Sequence, residues 1–278
     1  SVNVFKYAKK INNRTLTVAG GPNLPQDQEN KLNFWRERHH FLDYRVSGEG
    51  EETFCDLLEL IMSNSNIKKS DIKIPGLEFY DEISNTIFSG PPRERIKNID
   101  ETIPSPILEG YLDPFIHLQP ELQGVRGCPY SCKFCHMSEK HFNKVNHYSF
   151  DRIIKEIEYV RKHNKTHNIL NFTDDNFGML DIDIKVLEYC QKSYKETGWP
   201  IQIRGATAKK PSKAFINAAL KAPDMLRVAC HFQSLNKETL KYIKRIGPSE
   251  TELENIHENF AESKSVNLSE TALIIPMP

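Results

Sequence analysis

The sequence predicts an α/β chain in two parts: half of an open, doubly wound sheet over residues 1–65, then a partial (β/α) barrel over residues 122–278. Three observations carry this. From residue 122 onward, strand-length apolar runs alternate with amphipathic helical runs. Two strands followed by glycine turns stand within the first 65 residues. Between the two parts, residues 66–121 are rich in proline and read as a docked linker, with "SGPPRERI" and "IPSPILEGYLDP" as extended segments.

The elements follow in order. "TLTVAGGPN", residues 15–23, is an apolar strand that turns on Gly20 and Gly21, and "DYRVSGEGEETFCDLLELI" is a strand, an acidic glycine turn and a helix from about Glu51. His39 and His40 lie in the charged run "FWRERHHFLDY" and read as a solvated helix face, not as metal ligands. The barrel's first strand lies near "LQGV". Ser149 caps a helix whose Phe150, Ile153, Ile154, Ile157 and Val160 share one face. "NILNFT" is the second strand, and the next helix carries an apolar stripe of Val186, Leu187, Cys190 and Tyr194. "IQIRGAT", the helix "PSKAFINAALK" and the strand "MLRVACHFQS", with Leu226, Val228 and Cys230 inward, continue the alternation. Ser249 and Glu252 form a capping box for a helix burying Leu253, Ile256 and Phe260, and "NLSETALIIPMP" is a final strand.

Composition narrows the function. Lys plus Arg and Asp plus Glu both number 37, so no net field draws the chain to nucleic acid or an anionic membrane. No apolar run spans a bilayer, and "SVNVFKYAKK" lacks the apolar core of a signal peptide, which reads as a cytoplasmic protein.

Of six cysteines, Cys55, Cys190 and Cys230 are scattered singly and read as buried small hydrophobes. Cys128, Cys132 and Cys135 instead fall in the loop "RGCPYSCKFC", where packing gives no reason for three thiols. A zinc site would need His136 or His141 to complete it, and a disulfide conflicts with the odd count and a reducing compartment. Three thiolates on an iron–sulfur cluster leave one iron open, which suits catalysis. Barrel chemistry sits at the carboxyl ends of strands. There fall the three cysteines, then Asp174, Asp175 and Asn176, then Arg204, then His231, Gln233 and Ser234.

Cys-x3-Cys-x2-Cys with an aromatic before the last cysteine, here Phe134, resembles the signature of the radical S-adenosylmethionine (SAM) superfamily. The resemblance implies a 4Fe-4S cluster held by Cys128, Cys132 and Cys135, SAM on the open iron, and a 5'-deoxyadenosyl radical that abstracts hydrogen from a small-molecule substrate, with an external electron donor. "FTDDNFG" occupies the position where members contact the SAM amino group, which implies Asp174, Asp175 and Asn176, with Phe134 and Arg204 also beside SAM. "FQSLNKETLKYIKR" resembles a "GxQS" stretch of the cobalamin-binding subgroup, which implies Gln233 and Ser234 near ribose or substrate. "ALIIPMP" looks like the strand whose backbone, here around Ile274, contacts adenine. "TLTVAGGPN" and "VSGEGEETF" look like the second half of a cobalamin-binding domain, which implies Gly20 and Gly21 at a cobalamin. The missing initiator Met and the "IIPMP" end read as a fragment truncated at both ends. Cobalamin-dependent methyl transfer, a radical rearrangement, oxidation or epimerisation, and a non-catalytic iron–sulfur or zinc protein remain open at this point.

Overall fold

A computed structural model describes residues 2–21, 24–25, 27–63, 71–138, 141–226, 231, 233–245, 247, 249–262 and 273–275. The chain divides into two compact units, residues 1–97 and 98–278.

The first unit runs α1 (Val2–Ile11), β1 (Val18–Ala19), α2 (Gln28–Arg38), β2 (Tyr44–Val46), α3 (Glu51–Ser63), β3 (Leu77–Asp81) and β4 (Thr86–Ser89). Its sheet has the order β1-β2-β3-β4, with β1 parallel to β2 and the last two strands added antiparallel. Side-chain alternation splits the core between the two faces. Val18, Tyr44, Val46, Leu77 and Phe79 pack with Leu57, Leu60 and Ile61 of α3. Ala19 packs with Trp35 of α2 on the other face. Arg45 is wholly buried and donates from Nη1 to Glu78 Oε2 at 2.7 Å, while Lys31 of α2 donates to Glu78 Oε1 at 2.6 Å. Helices on both faces of a parallel pair are the doubly wound arrangement expected.

Three details differ from the sequence reading. Residues 77–89, assigned there to the linker, form a hairpin whose turn carries Asn85 at φ 51°. The prolines at 75, 91 and 92 flank this hairpin, so they remove no ladder hydrogen bond. His39 caps the C-terminus of α2, its N–H donating to the Trp35 carbonyl, and does not continue a helix face. Cys55 is exposed, because α3 buries Thr53 and Leu57, two positions to either side of it.

The second unit runs α4 (Ile99–Thr102), β5 (Glu121–Leu122), β6 (Val125–Arg126), β7 (Asn146–His147), α5 (Phe150–His163), β8 (Ile169–Phe172), α6 (Asp181–Thr197), β9 (Gln202–Arg204), α7 (Lys213–Leu220), α8 (Lys237–Tyr242) and α9 (Glu250–Glu262). β5, β8 and β9 form a parallel sheet in that order, and a parallel bridge from Ile203 to Leu226 carries it one step further. This is the strand order of an opening barrel wall. Residues 227–230, with Val228 and Cys230, lie outside the described residues, as do most of 267–278 and the side chain of Phe260.

The helices lie where their periodicity asks. Ser149 Oγ accepts from the Arg152 N–H at 3.3 Å, and α5 buries Ile153, Ile157 and Val160. α6 buries Val186, Leu187 and Cys190, but Tyr194 is exposed. Ser193 takes the inward position instead, donating to the Trp199 carbonyl at 2.8 Å. The capping box of α9 is present, with Glu252 N–H donating to Ser249 Oγ at 3.2 Å and Ser249 N–H to Glu252 Oε2 at 2.8 Å. No helix among the described residues is long and apolar enough to cross a membrane.

The parallel sheet is joined to the cysteine loop through Asp174, just past β8. Asp174 is buried, and its Oδ1 accepts from the Gly124 N–H at 2.8 Å. Burial pushes this carboxyl up to about 7, opposed by the N–H groups of Val125 and Gly124 and reinforced by Asp183 and Asp175. Between about pH 4 and 7 the folded chain therefore holds a proton that the unfolded chain has released, so stability falls as pH rises through that window. Asp174→Asn keeps the acceptor and removes the titration. Urea unfolding across this range is expected to show the pH-dependent loss reduced by roughly 2 to 4 kcal/mol in the variant; parallel curves for the two proteins would rule this out.

Candidate functional site

The site is built on the excursion between β5 and α5. β6 pairs antiparallel with β7, so residues 127–145 leave and return at one point. Gly127 sits at φ +100°, and a Cβ there would lie 2.2 Å from the Lys144 carbonyl oxygen, so the two arms approach more closely than any other residue permits. The Cys128 N–H donates to the Phe142 carbonyl at 3.0 Å, and the Lys133 N–H donates to the Ile243 carbonyl at 2.9 Å beyond α8. Lys133 Nζ also lies over the Tyr242 ring at 4.0 Å. Both ends of the cysteine run are thereby tied to fixed structure.

Cys128 and Cys132 are buried and Cys135 is half-buried. Nitrogen donors converge on the two buried sulfurs. Asn176 Nδ2 stands 3.1 Å from Cys128 Sγ, Lys209 Nζ stands 3.2 Å from Cys128 Sγ and 3.7 Å from Cys132 Sγ, and Arg245 Nη1 is 4.0 Å from Cys132 Sγ. Such donors suit thiolate sulfur, the form that holds iron. Among the described residues no three His, Cys, Asp or Glu side chains are gathered as ligands of a single ion. A cubane asks each thiolate for a different iron and so takes a wider spacing. The buried sulfurs with their cationic and amide neighbours fit such an anionic cluster.

The acidic turn after β8 divides by side-chain direction. Asp174 faces inward to Gly124. Asn176 is buried, with Nδ2 on the first sulfur. Asp175 is exposed at the site, where partial desolvation raises its carboxyl pKa and the charges of Lys209 and His136 lower it. None of these three caps the following helix: Asp183 Oδ2 accepts the N–H groups of Gly178 and Leu180, each at 2.9 Å, at the mouth of α6.

The remaining candidates are more loosely held. Arg204 is exposed and donates from Nε to Gln202 Oε1 at 2.9 Å along its own strand. Gln233 adopts φ 70°, bridges Leu273 in parallel, and its carbonyl accepts from the Ile274 N–H at 2.9 Å. That N–H is therefore already engaged. Ser234 Oγ accepts from the Asn236 N–H at 3.2 Å, and Phe134 is exposed beside Cys135. The His231 carbonyl accepts from Arg245 Nη2 at 2.5 Å, which links this segment to the sulfurs. Sequence reasoning missed Lys209 and Arg245. Lys209 was within reach, since it follows β9 at the end of the sheet where the other candidates lie; Arg245 follows a helix, where the strand rule gives no signal.

In the first unit, Gly21 has φ +106°, and among the described residues nothing stands within 4 Å of where a Cβ would lie. Glu49 of the acidic turn accepts from Arg95 Nη2 at 3.1 Å and from the Ile96 N–H at 2.8 Å.

Comparison with known proteins agrees with this chemistry. Residues 122–277 match the model of the Radical SAM superfamily. The chain is 26% identical to the cobalamin-dependent radical SAM methyltransferase TokK of Streptomyces tokunonensis, over 98% of this chain and 40% of that protein. It is 27% identical to a 2-(S-pantetheinyl)-carbapenam-3-carboxylate methyltransferase of Streptantibioticus cattleyicolor, over 99% of this chain and 40% of that protein. The chain thus spans about 40% of the length of these curated relatives. Its fold is like that of the radical SAM methyltransferase TsrM of Kitasatospora setae, solved with cobalamin and a [4Fe-4S] cluster, at a TM-score of 0.69 and 15% identity over all of this chain and 52% of that one. It is also like that of the cobalamin-dependent SAM radical enzyme OxsB, solved with aqua-cobalamin, at a TM-score of 0.65 and 17% identity over 98% of this chain and 38% of that one. With the family model covering more than half of its length, the chain belongs to the radical SAM superfamily.

Proposed function

We propose that this chain carries the radical-generating site of a cobalamin-dependent radical SAM methyltransferase acting on a small molecule in the cytoplasm. The observation that carries the reading is the convergence of Lys209, Asn176 and Arg245 on the buried sulfurs of Cys128 and Cys132. Its methyltransferase relatives support the finer assignment. When bound, a 4Fe-4S cluster and SAM supply one-electron reductive cleavage of a carbon–sulfur bond, with the electron from an external donor.

The chain's own residues prepare that chemistry. Cys128, Cys132 and Cys135 would hold the cluster through their three thiolates. Asn176 orients the first sulfur, and Asp174 fixes the root of the loop. Asp175, with an exposed carboxylate, receives the ammonium group of SAM, while Phe134, Arg204, Gln233, Ser234 and the backbone at Ile274 border the remaining parts of SAM. Cys190 takes no part: burial pushes its thiol up to about 12. Gly20 and Gly21 offer a cobalamin a surface without side chains.

The test of the reading is anaerobic iron reconstitution, followed by SAM, a reductant and analysis of nucleoside products. 5'-Deoxyadenosine together with S-adenosylhomocysteine is expected, and absence of both overturns the proposal. Alanine at Cys128, Cys132 or Cys135 is expected to abolish iron uptake, whereas Cys190→Ala retains it; equal loss in Cys190→Ala would refute the ligand assignment. Asp175→Ala is expected to weaken SAM binding about ten- to hundredfold with iron content intact, the worth of a charge-assisted hydrogen bond. Unchanged affinity would return Asp175 to a solvated turn. For the cobalamin surface, hydroxocobalamin retained on gel filtration is expected to fall in Gly21→Leu relative to the unsubstituted protein, and equal retention would remove this turn from the site.

A further inference from the structure

We propose that Lys209 acts as a positioning residue that sets the reduction potential of the cluster through the sulfurs of Cys128 and Cys132. The inference rests on the radical SAM reading above and adds a role to a residue that binds no iron. Lys209 follows β9, and its Nζ stands 3.2 Å from Cys128 Sγ and 3.7 Å from Cys132 Sγ, so one ammonium serves two ligands. The Tyr130 ring lies under the same ammonium at 4.5 Å, within the loop between those two cysteines. The ring holds the cation by its π face and adds no negative charge that would neutralise it.

The donors are distributed unevenly over the three ligands. Asn176, Lys209 and Arg245 address Cys128 and Cys132, both buried, whereas among the described residues no side-chain nitrogen stands on Cys135. Cluster potentials follow net charge, hydrogen bonds to sulfur and exposure. Reduction adds one negative charge to an already anionic cluster, so a fixed, partly buried cation at sulfur favours the reduced form. Arg245 is anchored by the His231 carbonyl at 2.5 Å and stands further off, at 4.0 Å from its sulfur. Lys209 is therefore the stronger of the two cations in this respect. Asp175 opposes it, since the two charges act on one another through space.

The experiment is a redox titration of the anaerobically reconstituted protein, followed by electron paramagnetic resonance and carried out without SAM. Lys209→Met is expected to lower the reduced-to-oxidised ratio at a fixed potential by about tenfold, a midpoint about 59 mV more negative for one electron. Lys209→Arg is expected to stay near the unsubstituted value, and Asp175→Asn to move the midpoint upward. An unmoved midpoint in Lys209→Met with full iron content overturns the inference, as does an equal drop in Lys209→Met and Lys209→Arg, which marks a structural effect. An unmoved potential with weaker SAM binding also overturns it and assigns the ammonium to SAM. Should Lys209→Met take up no iron, Lys209→Gln and Asp175→Asn decide, and two unmoved midpoints overturn the proposal. Failure of the unsubstituted protein to form any cluster overturns the radical SAM reading itself, and this inference with it.

Discussion

The hydrogen bond from the Gly124 N–H to Asp174 Oδ1 is the constraint on which the rest of the site depends. Asp174 belongs to the segment leaving β8, and Gly124 to the segment leaving β5, so the bond joins two neighbouring strands just beyond their paired ends. The Gly124 carbonyl in turn accepts from the Tyr148 N–H at 3.0 Å, where the chain returns from the cysteine excursion. One residue thus gathers the sheet, the outgoing arm and the returning arm. Two positions along, Asn176 reaches Cys128 Sγ. A short stretch of backbone therefore sets both the root of the loop and the placement of its first sulfur, and the backbone N–H donors of Gly124 and Val125 offset only part of the cost of burying a carboxyl group there.

That arrangement shows what the sequence made legible. The alternation of apolar strands and amphipathic helices from residue 122 is local, so the periodicity of α5 and α6 could be read directly, and the end of each strand then indicated where candidate side chains lie. The first unit was legible only in part. In "LEFYDEISNTIFS" the alternating side chains do describe a hairpin, but the surrounding prolines drew the whole of 66–121 into one irregular segment. The ladder forms because Pro75, Pro91 and Pro92 stand outside it and Asn85 tolerates a left-handed turn. Tyr194 was misread for a different reason: an extended apolar stripe implies a neighbour at each turn, and the last turn of α6 buries Ser193 through a hydrogen bond instead.

Within the site, legibility followed the rarity of the residue. Three cysteines at fixed spacing stand out against a chain with six. Lysine and arginine do not, because they number 37 and are balanced by as many carboxylates. Net charge zero excludes a long-range field and says nothing about a local one. Lys209 and Arg245 come from separate segments, more than thirty residues apart, and meet only because the chain returns past α8 to the cysteine loop, where Lys133 N–H is held by the Ile243 carbonyl. Their convergence on two buried sulfurs is a property of the fold.

The cobalamin surface proposed for the first unit rests on the same distinction between residues spent on structure and residues left available. The acidic glycine turn looks well suited to a ligand by sequence, yet Glu49 is committed to Arg95 and to the Ile96 N–H, and Arg93 is held by Glu52 and Asp56 at the start of α3. These charges fasten the extended segment 93–96 against the turn. Gly21 has a positive φ that excludes most side chains, and no described residue stands within 4 Å of where its Cβ would lie. At the end of β1, that combination allows a flat ligand to approach the backbone, which is what the glycine turns of doubly wound sheets provide. Of the two turns, the plain glycine pair is the better candidate for contact, and the acidic one serves to hold the unit's own chain in place.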